Sequence, residues 1–177
     1  MKIQSQARKF FVNVGRWAKR ILFGKSLRRT LVRAAVLATI SFILFKFLLL
    51  PTRINGVSME PRYRNGSINF VNTLRYRFRA PRRGDVVAIR MAGQHVMLLK
   101  RIIGLPGERL AFHSGVLIVN GKPTPETYVK DGRDWNLPEV KIGSNEFFVA
   151  GDNRSMPIDF YAHGCVERSR IIGGLLF

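Results

Sequence analysis

The sequence predicts a mostly β fold, a compact folded-over sheet or barrel, preceded by one N-terminal transmembrane helix. Three observations carry this. After Pro51 the chain breaks into short runs rich in β-branched and aromatic residues, punctuated by turn residues. Asn120-Gly121 stands directly after one such run, and a type I′ hairpin turn favours that pair because both of its central residues need positive φ. Ahead of these runs, residues 34–50 read AAVLATISFILFKFLLL, seventeen positions with a single charge, Lys46.

Taken in order, residues 1–33 form a basic segment. The 177-residue chain holds 30 Lys+Arg against 11 Asp+Glu, a formal charge of +19, and residues 1–50 contribute +11 of it without one acidic residue. Phe10, Val14, Trp17 and Ile21 fall at helical spacing, which suits an amphipathic helix on a membrane surface; a plain basic tail accounts for the same residues.

Residues 34–50 are expected to be a single membrane anchor, at the lower edge of the length that spans a hydrocarbon core. Apolar on every side, the run lacks the polar face of a helix on a soluble core. A cleaved leader would need a small-x-small site after it, and PTRING supplies none. Lys46 and Arg33 lie near its ends, where their heads reach the interface. The basic residues before the run leave the N-terminus in the cytoplasm and put residues 51–177 on the far side.

Within 51–177, strands are expected at Ser67–Asn72, Asp85–Arg90, Val96–Ile103, Gly115–Val119 and Phe147–Ala150, from their β-type composition. Residues 126–146 carry charges and turn residues and show no clear element. Cys165 is the only cysteine, so neither an internal disulfide nor a cysteine metal cluster is available. The basicity fits either phosphates of nucleic acid or an anionic lipid surface. The RYRFRAPRR stretch, 75–83, is read as a basic loop near phospholipid headgroups, and no nucleic acid is expected as partner. No metal or other cofactor is expected, since HExxH, cysteine pairs and a glycine-rich phosphate loop are all lacking.

For nucleophilic chemistry, His163 and Asp159 stand four residues apart, a spacing that arises often by chance. A Ser–Lys pair needs no histidine, but its lysine must be desolvated so that it can be neutral and accept the hydroxyl proton. Lys100 lies in the apolar run VMLLKRIIG, where strand alternation turns either Lys100 or Arg101 inward. An ordinary strand end with both charges facing water fits the local pattern as well.

Four boxes in order lift that ambiguity. Ser58-Met59-Glu60-Pro61 lies eight residues past the apolar run and resembles the SMxP box of type I signal peptidases. Gly84-Asp85-Val86-Val87 is similar to their G-D-V/I-V strand start, and the run from Lys100 to Gly107 (KRIIGLPG) to their K-R-x-x-G-x-P-G box. Gly151-Asp152-Asn153-Arg154, with Asp159 beyond, resembles their G-D-N-x-x-x-S-x-D box. The resemblance covers roughly residues 34–174.

It implies a compact signal-peptidase-like antiparallel β catalytic domain in which Ser58 is the nucleophile and Lys100 the general base. The Ser58 N–H would serve the oxyanion hole, Arg101 and Asp159 would form a bracing ion pair, and Asp152 and Asn153 would hold the turn against the catalytic strand. Ile54, Met59, Leu98 and Leu99 would line shallow apolar pockets for an extended substrate added as a β-strand, selecting Ala-x-Ala-like sites. The partners implied are the signal peptides of exported preproteins. The implied location is a bacterial inner membrane, crossed once, with the catalytic domain outside the cytoplasm.

Three departures qualify this. Gly56 stands where many members have a serine that completes the oxyanion hole. Pro157 replaces the serine that usually steadies the lysine, unless Ser155 takes over, and Tyr161 replaces a common arginine. They keep two alternatives open: a specialised maturation peptidase for one pilin or conjugation protein, and a non-catalytic membrane-anchored domain that binds extended peptides.

Overall fold

The computed structural model describes residues 26–90, 97–129, 132–155, 157–160 and 163–176. The expected amphipathic segment around Phe10–Ile21 and the departure at Tyr161 lie outside them.

The first compact unit, Met1–Lys46, holds most of helix α1, Leu27–Leu48. Ser26 opens it: its Oγ accepts from the Arg29 N–H at 3.4 Å and its carbonyl from the Thr30 N–H at 3.1 Å. Leu37, Phe42 and Phe45 along its length are exposed. Among the described residues no helix is long and apolar enough to cross a membrane. Arg28, Arg29 and Arg33 stand in its first turns and Lys46 near its end, and Leu49 and Leu50 of the apolar run leave it for a strand.

The second unit, Phe47–Phe177, is mostly antiparallel β. Its larger sheet has seven strands in the order β1-β2-β11-β3-β4-β9-β10: β1 Leu49–Arg53, β2 Ile68–Asn72, β3 Val86–Arg90, β4 Met97–Gly104, β9 Glu146–Ala150, β10 Gly164–Glu167 and β11 Ile171–Leu175. The smaller has four, β7-β6-β5-β8: β5 Arg109–His113, β6 Val116–Val119, β7 Lys122–Pro123 and β8 Leu137–Lys141. A one-turn helix α2, Arg75–Phe78, follows β2.

The five expected strands form within a residue or so of their anticipated ends. Asn120 and Gly121 both take positive φ, 51° and 75°, and close the β6–β7 turn. Strand β8 lies in the 126–146 stretch that showed no clear element. Its exposed Pro138, Glu139 and Lys141 hide it, because only Leu137 and Val140 pack inward and its register comes from β5.

Strand β4 organises the body. From Leu99 to Gly104 every residue is 8% exposed or less or falls in the buried class, since apolar clusters cover both faces of the sheet. On one side Leu99 packs with Ile54, Met59, Tyr63, Val86 and Ala88. On the other Ile102 packs with Val87, Ile89, Phe147 and Val149. At its end β4 feeds the smaller sheet, and Gly104 marks the transition, where a Cβ would run into Ile142 and Phe148. Ile103 there joins the core of Phe112, Trp135 and Phe148.

Candidate active site

Lys100 and Arg101 occupy adjacent positions on β4 and so point to opposite faces. The sequence pattern expected one of the two inward; both are buried, at 4% and 5% exposure, because β4 is an interior strand covered on each side. Burial pulls the Lys100 ammonium down to a pKa of about 8, against a smaller upward pull from the Asp152 carboxylate. A lysine in that state is partly neutral near pH 8 and can accept a proton.

Arg101 is paired with Asp152. Its Nε donates to Oδ1 at 2.7 Å and its Nη2 to Oδ2 at 2.5 Å, while Nη1 donates to the Gly84 carbonyl at 2.6 Å. Burial alone would lower the guanidinium's pKa; the Asp152 bonds outweigh it and keep the charge. The bracing pair anticipated between Arg101 and Asp159 therefore forms with Asp152 instead. Asp159 sits in a short 3-10 helix, Ile158–Phe160, and with Pro157 and Trp135 lines a cleft of about 600 Å³. The reason is register: Ala150 lies opposite Arg101 across the β4–β9 pair, so the residue two beyond it is delivered to the guanidinium.

The same turn reaches the nucleophile candidate. Asn153 donates its backbone N–H to the Ser58 carbonyl at 3.1 Å and its Nδ2 to the Val57 carbonyl at 3.1 Å. Met59, beside Ser58, packs in one cluster with Leu99, beside Lys100. Ser58 itself is half-buried, in a loop folded on itself by bonds from Glu60 N–H to the Val57 carbonyl and Tyr63 N–H to the Met59 carbonyl. Asp152 thus acts on Lys100 and Arg101 while its neighbour Asn153 holds the carbonyls of Val57 and Ser58.

Three of the four expected pocket residues, Ile54, Met59 and Leu99, come together, as core side chains 3%, 1% and 8% exposed. Leu98 is half-buried on the opposite face of β4, across from Ile89. Gly56, with φ of 105°, gives its N–H to Asn65 Oδ1 at 3.0 Å. Ser155 is exposed, and its N–H is held by Asn153 Oδ1 at 3.0 Å.

Sequence reasoning passed over Glu126, Tyr128 and Arg154. Arg154 and the Glu126 side chain form a buried ion pair, and Tyr128 lies against Arg101. The charge of Arg154 inside the fourth box was a visible signal; Glu126 and Tyr128 carried none, standing in a stretch with no recognisable element.

Comparison with known proteins identifies the family. The model of the family described as signal peptidase, peptidase S26, matches residues 27–177. Signal peptidase I V of Bacillus subtilis is 33% identical, with 68% of this chain and 80% of that protein covered. Signal peptidase IB of Staphylococcus aureus is 30% identical, covering 86% of this chain and 89% of that protein. A crystal structure of a signal peptidase I from Enterococcus faecalis aligns at a TM-score of 0.46 and 24% identity, over 55% of this chain and 97% of that one. With most of its length matched by the family model and by these relatives, the chain belongs to the signal peptidase family of serine endopeptidases, peptidase S26.

Proposed function

We propose that this chain removes signal peptides from exported preproteins through a Ser58–Lys100 dyad, cutting after small-x-small sites. The observation that carries the proposal is a buried lysine, drawn down to a pKa of about 8, beside a turn that also grips the Ser58 carbonyl. Neutral Lys100 takes the proton of Ser58 Oγ as the oxygen attacks the scissile carbonyl, giving a tetrahedral oxyanion facing the Ser58 N–H. The protonated lysine then returns its proton to the leaving amine, and the acyl group stays on Ser58. Water activated by Lys100 hydrolyses that ester and restores the serine.

The substrate's place is suggested by β4. Among the described residues, β4 pairs with β9 only from Arg101 onward, while Met97–Lys100 pairs with β3 alone. That leaves one edge of Met97–Lys100 open to an extended peptide, which would add as a strand with its scissile bond near Lys100. Ile54, Met59, Leu98 and Leu99 would then bound the small pockets.

A single-pass anchor in a bacterial inner membrane, N-terminus inside, rests on the apolar run 34–50 of the sequence and the basic residues ahead of it, with anionic lipid meeting the flanking arginines. Pro157, in place of the serine that usually steadies the lysine in similar proteins, keeps a specialised substrate range as the second reading. The test is cleavage of a purified preprotein in detergent by wild type, Ser58→Ala and Lys100→Ala. Both variants should lose activity; a Ser58→Ala protein that still cuts removes the dyad.

A further inference from the structure

Beneath the proposed site, five side chains close into a ring. Arg101 holds Asp152 through two hydrogen bonds, 2.7 and 2.5 Å. One residue back from Asp152, the Gly151 carbonyl accepts from Arg154 Nε at 2.7 Å. Arg154 continues to Glu126, with Nη2 at 2.7 Å from Oε1 and Nη1 at 3.2 Å from Oε2. Glu126 Oε1 accepts from the Tyr128 hydroxyl at 2.6 Å, and the Tyr128 ring lies under the Arg101 guanidinium, 4.2 Å from its centroid.

The ring contains two cations and two anions, so its formal charge is zero, and its members are well shielded: Arg101, Asp152 and Arg154 are 5%, 0% and 3% exposed. Arg154 is also stacked on the core of the smaller sheet, 4.5 Å from the Trp135 ring centroid and 5.2 Å from that of Phe112. Burial and the Glu126 carboxylate both hold the Tyr128 hydroxyl in its protonated, donating form.

We propose that Arg154 is a positioning residue: with Glu126 and Tyr128 it ties the Gly151–Asn153 turn to the Trp135 core, so that the smaller sheet sets the placement of Ser58. On the side of the smaller sheet's core the turn is held by the Arg154 side chain and by the Arg154 backbone, whose carbonyl accepts from the Arg133 N–H at 3.3 Å. Beyond Ala150 it leaves the β9 ladder, yet it must present Asp152 to Arg101 and Asn153 to the Val57 and Ser58 carbonyls. Each orphaned contact in this desolvated ring would leave a buried charge or donor unmet, which makes the ring cooperative. The catalytic half of the proposal rests on the Ser58–Lys100 reading; the structural half does not.

The test uses Tyr128→Phe, which keeps the ring under Arg101 and removes only the hydroxyl on Glu126, and Arg154→Lys, which keeps the charge and loses the fork. The first readout is hydrogen exchange of the Asn153 amide in the full chain. It should quicken by about tenfold in each variant, the factor expected from one hydrogen bond to a charged group. Unchanged exchange at Asn153 in both variants overturns the proposal whatever the enzyme does. The second readout is kcat well below the melting transition: a drop of several-fold with KM unchanged in Tyr128→Phe, and no further drop when Tyr128→Phe is added to Asn153→Ala. A lowered melting temperature with kcat intact reduces Arg154 to ordinary packing and overturns the positioning role. If Asn153 exchange quickens while wild type fails to cleave preproteins, the ring stands and the Ser58–Lys100 reading falls.

Discussion

The depressed pKa of Lys100 gives the proposed mechanism a quantitative signature. If the base in the free enzyme is a lysine of pKa about 8, its neutral fraction is about 0.1 at pH 7 and about 0.9 at pH 9. The value of kcat/KM should therefore rise about tenfold between those pH values and level off above them, with no step near 6.5, where a histidine would titrate. The assay is kcat/KM on a peptide carrying an Ala-x-Ala site, in detergent at constant ionic strength. A flat profile from pH 7 to 9, or a main step near 6.5, refutes the assignment of Lys100 as base. The same shift also makes a stability statement. The folded-state pKa lies below the ordinary 10.5, so between about pH 8 and 10.5 the unfolded chain binds more protons and stability rises with pH. Below pH 8 the full penalty for holding a charged lysine in the core applies, about 3 kcal/mol.

Replacing Lys100 with Met should accordingly abolish cleavage yet stabilise the fold at pH 7 by up to about 3 kcal/mol, a difference that shrinks toward pH 10; denaturant melts across pH check it. Asp152→Ala strands the Arg101 guanidinium in the core and should lower stability by about 3–5 kcal/mol, read as the shift in urea midpoint. Gly104→Ala forces a methyl against Ile142 and Phe148 and should destabilise by about 1–3 kcal/mol, measured in the same way. Trp135→Ala removes the stacking surface under Arg154 and should lower stability by about 3–5 kcal/mol, seen as loss of cooperative melting at a lower temperature.

Much of this architecture is local and therefore legible in the sequence. The runs SINFVN, DVVAIR, VMLLKRII, GVLIV and FFVA are short enough, and β-rich enough, to declare strands. Asn120-Gly121 declares its turn because few residue pairs accept two positive φ values in succession. The boxes around Ser58 and Lys100 are local as well, and the proposed pairing of the two residues rests on them. Strand β8 was not legible, since its inward residues are only Leu137 and Val140 and its pairing comes from β5, more than twenty residues away.

What the amino-acid order determined by itself was five of the strands, the boxes and the charge asymmetry between the N-terminal segment and the body. Alternation along β4 told that Lys100 and Arg101 face opposite ways, but it carries no information about what covers each face. Only the tertiary structure decided that both faces are covered, which makes Lys100 a desolvated lysine, that Arg101 pairs with Asp152 and not Asp159, and that Glu126, Tyr128 and Arg154 close behind them. The physical reason is that burial and ion pairing are set by strand register between segments about 50 residues apart in the chain, such as Arg101 opposite Ala150, and no local pattern encodes that register.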